Sequence, residues 1–165
     1  MGSTLGIHCL NPDDTRHWVE EMLNDGKHLA SVKAVDNNGV LIETKQFSPE
    51  TITIARITPE TSLQELSDNP LITRERLGKL ADAMVGQILD RTNAEERAAT
   101  DYYEICNEPD PPHVTGYFNL ANLMWDCMDR AEAHGLKLGL FALNAGSPEW
   151  PEYQAMVNTG VFSRA

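Results

Sequence analysis

Along the chain the apolar residues switch repeatedly between the two-residue repeat of a strand and the 3.6-residue repeat of a helix. Thr4 to Leu10 reads as a first strand, closed by Asn11-Pro12, where Asn11 can cap a helix and Pro12 occupies its first position. Trp18, Val19, Met22 and Leu23 share one helical face, and this helix stops at Gly26. Leu29 to Val35 forms a second strand ending in the turn cluster Asp36-Asn37-Asn38-Gly39, and a short apolar helix from Val40 to about Phe47 leads to Ser48-Pro49. The third strand, Thr51 to Ile57, has the β-branched content that a pleated surface favours.

Thr58 to Pro70 is polar, contains two prolines and reads as a long loop. Beyond it Leu77, Leu80, Ala81, Met84, Val85, Ile88 and Leu89 recur at the helical period, with Thr73 as the cap. Asn93 to Thr100 reads as a short polar helix or turn, and Tyr102 to Asn107 as a fourth strand. A helix from about Thr115 to Ala133 carries Leu120, Leu123, Met124, Cys127, Met128 and Ala131 and stops at Gly135. Leu136 to Leu143 is a fifth strand, followed by Gly146-Ser147-Pro148 and a final short helix from about Pro151.

Strands that alternate with helices imply right-handed crossovers and a parallel sheet. A doubly wound sheet and a barrel both accommodate this order. No G-x-G-x-x-G follows the first strand and no Walker-type loop occurs, so the signatures of a nucleotide-binding sheet are missing. Polar residues collect instead just past the C-terminal ends of the strands, where barrels build their active sites.

Composition narrows the partners. The 165 residues are 41% hydrophobic and 23% charged, ordinary for one globular domain. No apolar run approaches the roughly 20 residues of a membrane span, and Met1 to Leu10 lacks the basic and apolar regions of a signal peptide. With 25 acidic against 13 basic residues the formal charge is −12, which disfavours nucleic acid and anionic membranes and suits neutral ligands or polysaccharide. Cys9, Cys106 and Cys127 form neither a disulfide framework nor a metal-ligand pattern with the five histidines, and are expected to be buried thiols.

The richest segment is Tyr102-Tyr103-Glu104-Ile105-Cys106-Asn107-Glu108-Pro109-Asp110. A strand runs into Asn-Glu-Pro, and proline, lacking an N–H, ends the ladder and leaves a carboxylate beside an amide at the strand tip. A general acid for glycosidic cleavage needs such a fixed carboxyl group, partly desolvated so that its pKa rises, among hydrogen-bonding neighbours. A fourth strand ending in Asn107-Glu108-Pro109 resembles the signature of clan A glycoside hydrolases, the cellulase-like (β/α)8 barrels. That resemblance implies an α/β fold in which residues 1–165 make a single incomplete domain. That domain would be a partial TIM-type (β/α) barrel of about five parallel strands in sequence order, with helices on the outer face. It further implies that Glu108 is the catalytic acid/base, protonating the leaving oxygen and later deprotonating water, and that Asn107 binds the sugar hydroxyl next to the reacting carbon. The substrate would be a carbohydrate, with no metal or organic cofactor.

The remaining strand-end residues have alternative roles. His8 either lines the cleft and contacts sugar or is a satisfied core histidine. Counting alternation back from Glu108 puts Cys106 and Glu104 on the same face, so Glu104 can meet Arg56 or Lys33, as a structural ion pair or near the acid/base. Arg56, closer to its strand end, can tune Glu108 and contact substrate, and Asp36 follows the second strand. Asn144 and Trp150 complete the set of substrate-binding candidates, Trp150 either stacking on a sugar ring or acting as a hydrophobic staple for the Pro151 helix. Tyr102 and Tyr103 read as strand packing, Asp110 and His113 as cleft-rim residues, and His17, His28 and His134 as surface or turn residues.

A retaining glycosidase uses two carboxylates about 5 Å apart, and in the clan that this chain resembles the nucleophile follows strand seven. A barrel needs eight strands and about 250 residues, so the chain reads as a fragment or a truncated relative, without glycosidase activity alone. Glu149 is the only other acidic residue near the same end, and nothing marks it as a nucleophile. Unpaired edges at the first and fifth strands would favour self-association. A non-catalytic sugar-binding relative and an unrelated barrel enzyme with Lys33 as a Schiff-base amine are the alternatives.

Overall fold

Four strands, β1 (Gly6–Cys9), β2 (Ser31–Val35), β3 (Ile52–Arg56) and β4 (Tyr102–Glu104), pair in sequence order, and every pair is parallel. These coordinates are a computed structural model, which describes residues 6–10, 17, 19–22, 24–27, 29–59, 63, 65–66 and 72–164. The strands alternate strictly. Val32, Ala34, Thr53, Ala55 and Tyr103 are buried toward the core, whereas Lys33, Ile54, Arg56 and Glu104 on the other face are only half-buried. Because the pairs are parallel, all four strands end at one edge, and the residues that follow them gather there.

The helices cover the apolar face. Helix α1 (Gly39–Phe47) packs on β2 and β3 through Val40 and Leu41. Helix α2 (Arg74–Arg91) begins where the Thr73 hydroxyl accepts the Arg76 N–H at 3.2 Å, and it buries Leu77, Leu80, Ala81, Met84, Val85 and Ile88. The short α3 (Ala94–Ala98) carries a complete capping box: Asn93 Oδ1 accepts the N–H groups of Glu95 and Glu96, and Glu96 accepts the Asn93 N–H. Helix α4 (Val114–Ala133) lies against α2 and buries Leu120, Leu123, Met124, Cys127 and Ala131. Arg74 to Asp126 at 2.7 Å and Arg130 to Asp82 tie the two helices at the surface. Helices α5 (Trp150–Val157) and α6 (Val161–Arg164) close the chain against α4.

Asp101 anchors the opposite end of the sheet from the strand tips. Its Oδ2 accepts the Thr53 N–H at 2.8 Å and the Lys45 ammonium at 2.7 Å, while the Thr53 hydroxyl donates to Ala99 O. One carboxylate thus joins α1, β3 and the entry to β4.

The fifth strand expected over Leu136 to Leu143 does not form. The segment runs beside β4, with Tyr103 N–H donating to Lys137 O at 2.8 Å and Gly139 N–H to Tyr103 O at 2.9 Å, but only Leu138 bridges, parallel to Tyr103. The ladder fails at Phe141, whose φ of 55 is left-handed, and whose carbonyl accepts the Leu143 N–H instead of a neighbouring strand. β4 is also shorter than expected, ending at Glu104 rather than Asn107. Residues 19–22 are helical and Gly26, with φ 68, ends that turn as expected, whereas Asn11, Pro12, Trp18 and Leu23 lie outside the described residues. So does most of the 58–70 loop, where residues 65 and 66 are helical.

Candidate active site

Ile105 and Cys106 continue inward from β4, each 2% exposed, before the chain surfaces at Asn107 and Glu108 and dips again at Pro109. Glu108 has φ 45, in the left-handed region that disfavours any side chain. Its N–H donates to Ala142 O at 2.7 Å, so the turn hangs on the 136–144 segment as well as on β4. The Glu108 carboxylate is exposed and has no hydrogen-bond or ion-pair partner among the described residues, so the partial desolvation expected of an acid/base is not met by these residues.

The following loop is clamped by the first turns of α4. Asp110 accepts the phenolic O–H of Tyr117 at 2.5 Å. Burial, and then the Asp110 carboxylate, push the Tyr117 hydroxyl up to about 12. Gly116 lets the loop come close, since a Cβ there would stand 2.5 Å from Pro111 Cβ. Asp110 is therefore a structural clamp for the Glu108 turn. His113 precedes α4, exposed and without a side-chain capping bond.

Along the half-buried sheet face lies a charged cluster. The Lys33 ammonium contacts Glu104 Oε2, and Arg56 Nε donates to the same oxygen at 3.2 Å. The three side chains are 18%, 13% and 15% exposed for Lys33, Arg56 and Glu104. Alternation had put Glu104 within reach of both cations, and it meets both. His8 is in register with Lys33 and exposed, which corrects the core-histidine alternative. Burial, then the charges of Lys33 and Arg56, lower its pKa, and Glu104 partly opposes them. Arg56 makes no hydrogen bond or ion pair with Glu108; it is engaged by Glu104.

Asp36, at φ 58, accepts the Thr58 N–H and a bond from Arg91, each at 2.9 Å, and so pins the exit of β2 to that of β3. Burial opposes its charge, but these donors more than compensate and hold the carboxyl below its usual range.

Asn144 is exposed, and its Oδ1 accepts the Ala145 N–H at 2.8 Å, shaping its own turn. Trp150 is 71% exposed and is itself the first residue of α5, so it does not precede the cap as a staple would. Its ring lies 6.0 Å from Tyr153, which lies 5.5 Å from Phe162, which lies 5.3 Å from Phe141. Only Trp150 of this row was apparent in the sequence; the i, i+3 spacing to Tyr153 was the one available signal. Side chains of Asn107, Asn144 and Trp150 make no hydrogen bond to Glu108 among the described residues.

Cys9, Cys106 and Cys127 are all buried, as expected. Burial pushes Cys106 up to about 12 and raises Cys127 as well, so neither is a ready nucleophile. Tyr103 is buried packing, whereas Tyr102 is 39% exposed. His17 pairs with Glu21 at 3.3 Å on the surface, and exposed His134 ends α4; His28 lies outside the described residues. Among the described residues no helix is long and apolar enough to cross a membrane, and no group of three or more His, Cys, Asp or Glu side chains is placed to hold a metal ion.

No protein-family model, curated protein or solved structure matches this chain.

Proposed function

We propose that these residues are part of a (β/α)-barrel glycoside hydrolase, with Glu108 as the general acid/base and Asn107 as a sugar-binding neighbour. The observation that carries this reading is Glu108 itself. A glutamate is kept at φ 45 in the turn after the fourth parallel strand, tethered by its N–H to Ala142 O, with its carboxylate open to solvent. Strained non-glycine residues cluster at sites where geometry matters more than local stability. A fixed backbone at a strand tip suits a group that must pass a proton to a glycosidic oxygen and take one back from water, and a bound sugar would supply the desolvation that the open carboxylate lacks. The nucleophile and the remaining strands would come from beyond these four strands, with the sheet curving as a barrel requires.

Titration of the chain with a panel of neutral oligosaccharides, followed residue by residue by NMR, tests the reading. The expected result is saturable shifts at Asn107 and Glu108, weakened by Asn107→Ala and Glu108→Gln. Shifts confined to the opposite end of the sheet, or none with any sugar, would overturn it.

A further inference from the structure

The cluster on the sheet face carries more positive charge than it neutralises. Lys33 and Arg56 share a single carboxylate oxygen, Glu104 Oε2, so two cations face one anion at a place mostly removed from water. Arg56 uses only Nε; neither terminal guanidinium nitrogen has a partner among the described residues, although the side chain is 13% exposed. These terminal nitrogens reach solvent and are open to a ligand, and an unbalanced charge at a mostly covered site is costly unless something supplies acceptors. Asp36 does not supply them, since it is taken by Arg91 and Thr58.

We propose that Lys33 and Arg56 form an anion subsite, positioned by Glu104, and that the substrate is a glycan bearing a carboxylate, such as a uronic-acid unit. This rests on the sugar-processing reading above and names its substrate class. Three features favour a carboxylate. The local excess is one positive charge, which matches a monoanion rather than a phosphate. The two terminal nitrogens of a guanidinium form a planar fork that fits a planar carboxylate. The chain as a whole carries −12, which repels multiply charged ligands more strongly than single ones. The position also fits, because Arg56 and Glu104 end β3 and β4, and Glu108 follows on the same edge. His8, in register with Lys33 and exposed, offers ring nitrogens to a neighbouring hydroxyl.

The test compares methyl glucuronide with methyl glucoside, the matching galacturonide with galactoside, and acetate, each titrated into the chain by NMR. The expected result is that one uronide binds at least about tenfold tighter than its neutral counterpart, the difference a charge-assisted hydrogen bond typically makes. Its addition should shift the Arg56 Nε–H resonance. Arg56→Gln should abolish the preference by weakening the uronide far more than the neutral sugar, while Arg56→Lys should restore part of it. If Arg56→Gln fails to fold, the Arg56 resonance of the parent chain decides by moving with the uronide and not with the neutral sugar. Equal affinity within both pairs, with shifts still at Asn107 and Glu108, overturns the subsite and leaves the sugar reading standing. Acetate that moves Arg56 as effectively as either uronide overturns the substrate class. Sugars that shift nothing overturn both readings together.

Discussion

Lys33 and Glu104 sit on strands that do not pair, yet the ammonium crosses β3 to reach the carboxylate oxygen that also accepts from Arg56. Two strand spacings amount to about 10 Å, so both side chains must extend over β3. One contact therefore holds three strands in register.

Removing Glu104 should expose how much depends on it. Glu104→Gln leaves two mostly buried cations facing each other, and unpairing a buried charge costs about 3 kcal/mol. Urea unfolding should show a loss of that order. The double variant Lys33→Met, Glu104→Gln should recover part of it, since one stranded charge is gone. An unchanged midpoint for Glu104→Gln would mean that water already screens the cluster.

The Glu108 turn gives a different expectation. A left-handed backbone costs a non-glycine residue about 1–2 kcal/mol, while glycine gives back about 0.5–1 kcal/mol in unfolded-state entropy. Glu108→Gly should therefore leave stability within about 1 kcal/mol of the parent, whereas Glu108→Val should destabilise, because a β-branched side chain tolerates φ 45 poorly. Thermal unfolding of the two variants checks the ordering, and a more stable valine variant would rule out this turn conformation.

Gly116→Ala tests the clamp behind the turn. A new Cβ would stand 2.5 Å from the Pro111 ring, which cannot swing aside as a flexible side chain would. Overpacking of this kind costs about 1–3 kcal/mol. The expected result is a lower melting temperature together with amide shifts through 108–117, and silence at Glu108 would show that the loop moves independently of its neighbour.

Acid should weaken the fold in part through Asp101. Burial opposes its charge, but Lys45 and Thr53 outweigh that and hold its carboxyl below the usual range. A depressed folded-state pKa adds stability that is full above the unfolded value, about 4, and is lost as pH falls through the lower folded value. Unfolding free energy should decline over that acid window, and Asp101→Asn should be less stable at neutral pH with a shallower decline. An equal slope in the variant would remove Asp101 as the cause.

Much of this architecture was legible because it is local. Val32 and Ala34, and Thr53 and Ala55, alternate as one-sided strands should; Thr73 capped as its position suggested; and alternation alone brought Glu104 to Arg56 and Lys33. The failures are all tertiary. Phe141 has an ordinary strand residue's sequence context, but its φ of 55 belongs to a segment whose Ala142 carbonyl is committed to Glu108. The Phe141–Phe162–Tyr153 row joins residues far apart in sequence with no common period. His8 remained ambiguous because alternation states which face a residue occupies, not whether anything covers that face.

The bond between Glu108 N–H and Ala142 O also bears on how such a chain can be divided and recombined. It reaches across the whole of α4, so the conformation of the strand-four turn is written partly in the next strand–helix unit. A chimera joined immediately after α4 would keep Asn107, Glu108 and Pro109 yet supply a foreign carbonyl, or none, at the tether. The smallest piece that can be exchanged with its turn intact runs through Ala142, which makes the unit of inheritance for this site larger than the repeat that displays it.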